Sequence, residues 1–268
     1  MSLKAVVLAA GRGSRLCPLT PFIPKEMLPV EGLPAIHYIL SELAQAGVKK
    51  VLVVISEGKE IIRDYLTEWI VPKGAEAERL SAERGKILSE LDLSFALQEE
   101  LLGTAHAVGL AASFMGDDNL LVVYPDDLLY DPKKHSVIAG PTRKLIELCD
   151  KTGDSVLLAG EIDGSEAHKY GVLRLATTDC ACRVREIVEK PLDYRERKAH
   201  ILLGRMMITP RVMESIPHHR LTDGDGIIPA LAEEAFLGRL SAIVYRGDRF
   251  DLGSHQGYRA LWKRLTNE

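Results

Sequence analysis

The chain has 268 residues, 46% of them hydrophobic but only 6% aromatic, and a formal net charge of −4. That length suits one main domain with embellishments, and the aliphatic bias suits a buried α/β core. The mild acidity removes any electrostatic case for nucleic-acid or anionic-membrane partners, so an anion site must be a local basic patch.

Four cysteines (Cys17, Cys149, Cys180 and Cys182) show neither a disulfide framework nor paired metal spacing, and are read as free thiols of a reducing compartment. No charged-then-apolar leader and no apolar run near 18 residues is apparent. The expectation is a soluble, cytoplasmic protein without a membrane partner.

Lys4 to Ala10 (KAVVLAA) is a continuous apolar run of the kind found in strands buried on both faces of a parallel sheet. A glycine- and arginine-bearing loop follows. Ala35 to Ala46 then repeats apolar residues at helical spacing, with Gly47 at the position of a helix-ending glycine. Val51 to Ile55 is a second buried strand, which completes a βαβ unit. Glu60–Trp69 and the highly charged Glu76–Leu91 read as helices. Leu93–Leu97 reads as a third strand, Gly103 as a turn and Ala105–Phe114 as a helix. Leu120–Tyr124 (LLVVY) is the clearest core strand and runs into Pro125-Asp126-Asp127.

A helix over Thr142–Asp150 and a strand over Val156–Gly160 continue the alternation. From Tyr170 the strands shorten and alternate in polarity (Gly171–Leu175, Val184–Val188, Ile201–Ile208), which suggests a mixed or antiparallel extension. Helices at Pro210–Ser215 and Ile227–Leu237, a strand at Ser241–Tyr245 and a helix at Gln256–Leu265 finish the chain. The architecture expected is α/β around a central mixed, mostly parallel sheet, as a single domain over 1–268.

The stretch Leu8–Val30 (LAAGRGSRLCPLTPFIPKEMLPV) holds most of the anion-binding potential. A glycine turn after a buried strand lets peptide N–H groups converge on phosphate oxygens. Gly11 and Gly13 permit the close approach, and Arg12 and Arg15 add charge. A third glycine and a well-spaced acidic residue are missing for the dinucleotide fingerprint, and no G-K-[ST] closes a P-loop. Lys25 stands among Pro18, Pro21, Pro24 and Pro29, which stiffen the loop and lower the entropy lost on ordering it around a ligand. That is a setting for a triphosphate.

Asp126 lies past the carboxyl end of a core strand, where ligands of α/β sheets bind, and suits Mg²⁺, which takes one or two carboxylates plus water and phosphate oxygens. Asp127 is read as its support, and Asp251 as a second candidate ligand. Asp117-Asp118 reads as an acidic turn. Lys190 can neutralise a sugar phosphate and Glu189 can accept hydrogen bonds from sugar hydroxyls, while Gly171 offers a backbone N–H. His218-His219 reads as an exposed loop, and no hydrolase-type nucleophile or metallopeptidase motif is present.

Taken together, Leu8–Arg15 with Pro24–Pro29, Gln98 with Leu102-Gly103-Thr104, Pro125-Asp126-Asp127, Tyr170-Gly171-Val172, Val188–Pro191 and Phe250–Gly253 resemble the sugar-phosphate nucleotidylyltransferases over nearly the whole chain. The PKEMLP segment and the charged stretch before Gln98 resemble the UTP–glucose-1-phosphate uridylyltransferase branch more than the thymidylyl one. The resemblance implies a Rossmann-like three-layer nucleotidyltransferase fold, with a nucleotide-binding half over roughly 1–130 and a sugar-phosphate-binding half over 131–268.

It also implies Mg²⁺-dependent, in-line attack of a sugar 1-phosphate on the α-phosphorus of UTP, with glucose 1-phosphate as the second substrate and a homo-oligomeric state. By the same similarity Ala10, Gly11, Gln98 and Gly103 would hold the base, with a contribution from Glu26. Arg15 would neutralise the leaving pyrophosphate, Lys25 would bridge phosphates, and Asp126 and Asp251 would hold the metal. Gly171, Glu189 and Lys190 would bind the sugar and its phosphate.

Three departures stand against this pattern. Ser14 replaces a common threonine, Pro21 replaces a frequent lysine, and Asp225-Gly226-Ile227-Ile228-Pro229 replaces an acidic-Gln-Leu-Thr-Asp segment. Two alternatives accompany it: the same reaction with dTTP or another sugar phosphate, and a non-catalytic nucleotide-sugar-binding regulator.

Overall fold

The computed structural model of the chain describes residues 3–67, 78, 82, 85–87, 89–177, 182–216 and 226–266. The chain packs as two compact units that are interleaved along the sequence. The first comprises Met1–Glu100, Tyr124–Ala139 and Asp248–Glu268, the second Leu101–Val123 and Gly140–Gly247. A division near residue 130 follows chain order, whereas the units do not, because the C-terminal segment folds back into the first.

In the first unit the strand Lys4–Leu8 pairs in parallel with Lys50–Ile55, which pairs in parallel with Asp92–Leu97. Val6, Val7, Val51, Val53 and Val54 have no exposure, as the continuous apolar runs require of strands covered on both faces. The helix Ala35–Gln45 buries Ile36, Ile39, Leu40 and Leu43 on one stripe, and Gly47 follows it at φ 94°.

The same unit contains a three-stranded antiparallel ribbon in which Asp127–Asp131 is flanked by Arg249–Asp251 and Ser136–Val137. Pro125-Asp126-Asp127 therefore turns directly from one strand into another rather than ending in a loop. The ribbon register sets Asp251 opposite Asp127, and the Leu252 N–H donates to the Asp126 carbonyl at 2.7 Å. Next comes the helix His255–Leu265, capped by Ser254 Oγ, which accepts from the Gly257 N–H. Tyr258 on this helix donates its hydroxyl to the Pro29 carbonyl at 2.8 Å, fastening the C-terminal segment to the end of the proline-rich loop.

In the second unit Lys198–Ile208 lies antiparallel to both Leu120–Val123 and Ser155–Asp163, and Leu240–Tyr245 runs parallel to Ser155–Asp163. Cys182–Glu189 pairs antiparallel with Leu240–Tyr245 and with Gly171–Thr177. The antiparallel extension expected after Tyr170 is thus present. Gly171 is paired with Glu189, and the Lys190 N–H donates to the Tyr170 carbonyl.

The single helix expected over Ala105–Phe114 is instead two, Gly103–Gly109 and Ala112–Met115. Gly109 is a poor helix former, and the Ala111 N–H closes a tight turn onto the Val108 carbonyl where the helix would otherwise continue. The expected Glu60–Trp69 helix spans Glu60–Thr67 among the described residues. Half of Glu76–Leu91, together with Cys180, His218-His219 and Asp225, lies outside them. Among the described residues no helix is long and apolar enough to cross a membrane.

Candidate active site

The first unit gathers six charged side chains around the loop that follows its strand Lys4–Leu8. Gly13 adopts φ 67°, a left-handed conformation open to glycine, and a Cβ there would lie 2.8 Å from Thr20 Cγ2. Thr20 Oγ1 donates to the Gly13 carbonyl at 2.8 Å, so the loop closes on itself and starts the short 3-10 turn Ser14–Leu16 that carries Arg15. A second 3-10 turn, Lys25–Met27, begins after Pro24 and carries Lys25 and Glu26. Gly11 lies close to the lysine: a Cβ on it would sit 3.9 Å from Lys25 Nζ.

Lys25 Nζ donates to Asp126 Oδ2 at 2.5 Å, with side chains only 13% and 15% exposed. Arg15 donates to Asp251 Oδ2 at 2.9 Å and its other terminal nitrogen lies 3.7 Å from Asp126 Oδ2. Deeper in, Glu26 Oε2 accepts from Lys59 Nζ at 2.9 Å. The result is an alternating chain of charge, Lys59–Glu26–Lys25–Asp126–Arg15–Asp251, in which Lys25 also feels the charge of Glu26.

The titration of these groups follows from their burial and neighbours. Burial alone would push Asp126 up, but the charge and hydrogen bond of Lys25, with Arg15, hold it below the ordinary carboxylate value. Burial would pull Lys25 down, but Asp126 and Glu26 hold it above the ordinary ammonium value. At the inner end burial wins, raising Glu26 and lowering Lys59 against their mutual attraction. Glu26 is fully buried, and its Oε1 has no hydrogen-bond partner among the described residues.

A further contact braces the ribbon beside the carboxylates. Arg249 Nε donates to Asp127 Oδ1 at 2.5 Å, an ion pair between the two strands of the ribbon, one starting just after Asp126 and the other ending at Asp251. Asp127, expected to support Asp126, pairs with Arg249. Gly253 keeps the space between the carboxylates open: a Cβ there would lie 2.5 Å from Asp126 Oδ2, 3.1 Å from Asp251 Oδ1 and 2.7 Å from an Arg15 terminal nitrogen. An oxygen of each carboxylate therefore lies in the same small region beside the Gly253 backbone, shared with the Arg15 guanidinium. Two hard oxygen donors converging in this way fit Mg²⁺, which completes its shell with water and phosphate oxygens. Among the described residues no cluster of three or more His, Cys, Asp or Glu side chains provides an all-protein metal cage.

Of the residues singled out in the sequence, Ala10, Gly11, Gly13, Arg15, Lys25, Glu26, Gln98, Asp126 and Asp251 belong to the first unit, and Gly103, Gly171, Glu189 and Lys190 to the second. Gln98 is buried just past the strand Asp92–Leu97, its N–H bonded to the Ile55 carbonyl. Gly103 opens its helix at φ 87°. Lys190, at φ 43°, pairs with Glu189 Oε1 at 3.0 Å, and a Cβ on Gly171 would approach Glu189 Oε2 to 3.1 Å. Lys59 was not legible from the motifs. Its position just beyond the carboxyl end of a parallel strand, after a glycine, is the signal that marks it.

The family described as Nucleotidyl transferase matches residues 4–267. A UTP–glucose-1-phosphate uridylyltransferase of Pseudomonas aeruginosa is 31% identical over 267 residues, spanning 96% of this chain and 94% of that protein. The UTP–glucose-1-phosphate uridylyltransferase 2 of Staphylococcus saprophyticus is 30% identical over 268 residues, spanning 95% and 89%. Among solved structures, UDP-glucose pyrophosphorylase complexed with UDP-glucose superposes with a TM-score of 0.85 at 26% identity, covering all of both chains. UTP-bound UGPase from Acinetobacter baumannii gives a TM-score of 0.82 at 25% identity, covering 100% of this chain and 93% of that one. The fold is that of these enzymes, and this chain belongs to the nucleotidyl transferase family.

Proposed function

We propose that this chain transfers the uridylyl group of UTP to glucose 1-phosphate, giving UDP-glucose and pyrophosphate. The observation that carries the reading is the low-exposure Lys25–Asp126 pair flanked by Arg15 and Asp251, two cations and two carboxylates at the mouth of a glycine loop. The names of the relatives supply the substrates.

A phosphate oxygen of the sugar 1-phosphate forms a new bond to the α-phosphorus of UTP, while the bond from that phosphorus to the bridging oxygen breaks and pyrophosphate leaves. The attacking phosphate is already anionic near neutral pH, so no general base is needed and the residues act by alignment and charge neutralisation. In this reading Lys25 and Arg15 leave their carboxylates for phosphate oxygens, Lys25 at the reacting centre and Arg15 on the leaving pyrophosphate. Ala10, Gly11, Gly13, Gln98 and Gly103 hold the nucleotide. Gly171, Glu189 and Lys190 take the sugar phosphate. Asp126 and Asp251, once released, are the residues that would hold Mg²⁺, and that ion would neutralise charge on the phosphates. Glu26 acts from beneath, as the buried neighbour of Lys25. A non-catalytic regulator would tolerate loss of Lys25, Asp126 or Asp251, and all three are present and paired.

Free thiols at Cys17, Cys149 and Cys182 support a cytosolic setting. We also read the chain as a homo-oligomer. This reading rests on the resemblance to the family, and sedimentation velocity is expected to show a species larger than the 29.6 kDa chain. A single monomer boundary at micromolar concentration would contradict it.

A panel of nucleoside triphosphates, including UTP and dTTP, against several sugar 1-phosphates with Mg²⁺ is expected to release pyrophosphate fastest from UTP with glucose 1-phosphate. Release from no pair would sink the assignment. Lys25→Ala and Asp126→Ala are each expected to lower kcat/KM by at least ~100-fold with the circular dichroism spectrum retained. Near-normal turnover of Asp126→Ala with Mg²⁺ would remove the metal role.

The ion pair also has a pH signature. The folded value of Asp126 lies below its ordinary 3.8, so its contribution to stability is complete above about pH 4 and is lost as pH falls through the folded value. Lys25→Met leaves Asp126 without its main partner and is expected to cost on the order of 3 kcal/mol at pH 7. The difference in melting temperature from the wild type should shrink on acidification to pH 3. A difference that stays constant would mean Asp126 does not titrate against Lys25.

A further inference from the structure

Lys59 sits in the turn after the strand Lys50–Ile55, where Gly58 at φ 80° and the Lys59 N–H to Ser56 carbonyl bond reverse the chain into the helix Glu60–Thr67. Its side chain turns inward and the residue is only 8% exposed. The ammonium donates to the Ala9 carbonyl at 2.7 Å, the Gly11 carbonyl at 2.6 Å and Glu26 Oε2 at 2.9 Å. These three acceptors use all three of its N–H bonds.

Two of those acceptors are peptide carbonyls on either side of Ala10. In a trans peptide the C=O and the next N–H point to opposite edges of one plane. Turning the Ala9 and Gly11 carbonyls onto Lys59 therefore turns the N–H groups of Ala10 and Arg12 away from it. The third bond holds Glu26, whose neighbour Lys25 pairs with Asp126. A buried ion pair is weak evidence of a stabilising role, because well-packed apolar residues of similar volume often do as well or better. Here one ammonium instead sets the direction of two peptide groups in a loop that otherwise contains glycines at 11 and 13.

We propose that Lys59 is a positioning residue for the nucleotide: it holds the segment Ala9–Gly11 so that the Ala10 and Arg12 N–H groups are presented to UTP. This rests on the reading that the glycine loop binds the triphosphate substrate. Lys59 touches no substrate itself and acts through the loop.

Lys59→Met alone strands a buried carboxylate, so the informative comparison is Glu26→Gln against the double variant Lys59→Met/Glu26→Gln. Both lack the Glu26 charge, but only the first retains the two carbonyl bonds. With UTP titrated by calorimetry, the double variant is expected to bind about tenfold more weakly than Glu26→Gln, the scale of one or two lost hydrogen bonds. Its KM for UTP should rise in step while its KM for glucose 1-phosphate stays within about twofold of that of Glu26→Gln, a split that a general loss of fold would not produce.

Equal UTP affinity in the two variants would overturn the proposal. In the wild type, the amide resonances of Ala10 and Arg12 are expected to shift on addition of UTP. Unmoved amides in a protein that binds UTP would overturn it without any variant. A wild type that binds no UTP would instead overturn the functional reading on which it rests.

Discussion

The ion pair between Lys25 and Asp126 is the constraint on which the rest of the site depends. It joins residues 101 positions apart with little solvent around either charge, where each group alone would be costly to keep ionised. Arg15, half exposed, adds little stability by pairing with Asp251 and Asp126, so its value lies in where it is held. The cations that phosphates would need and the carboxylates that a metal would need are stored as each other's counter-ions. In the proposed function, binding is an exchange of these partners for phosphate and metal.

Much of the first unit follows from that requirement. The proline-rich loop carries Lys25, and the turn after Tyr124 carries Asp126. The C-terminal segment returns through Arg249–Asp251 to bring the second carboxylate alongside, and the Arg249–Asp127 pair fixes the ribbon register. Gly253 leaves the space between the carboxylates unfilled. Lys59 anchors the inner end of the charge chain and, by the proposal above, the direction of the loop peptides.

The buried strands were legible because both faces of a parallel strand need apolar residues, which leaves a run such as KAVVLAA or LLVVY in the sequence. The helix Ala35–Gln45 was legible from its stripe and from Gly47. Asp127–Asp131 and Arg249–Asp251 were not, since three to five residues are too few for alternation to register, and their pairing partner is more than a hundred positions away. The break at Gly109 was hidden by an apolar pattern that continues through it. The side chains of the charge chain were readable as types, and the pairing of Asp126 with Lys25 was not. Lys59 escaped because two of its three partners are backbone carbonyls, which no residue name reveals.

The exchange of partners has a sign that one measurement reads directly: the affinity for UTP of the wild type and of Asp126→Asn, each by calorimetry in EDTA and in saturating Mg²⁺. Without metal, Asp126 competes with phosphate for Lys25, so removing its charge should tighten UTP binding. With Mg²⁺ the same substitution should weaken it, since the proposed function makes Asp126 a metal ligand. A substitution that weakens binding under both conditions, or changes it under neither, would contradict the account.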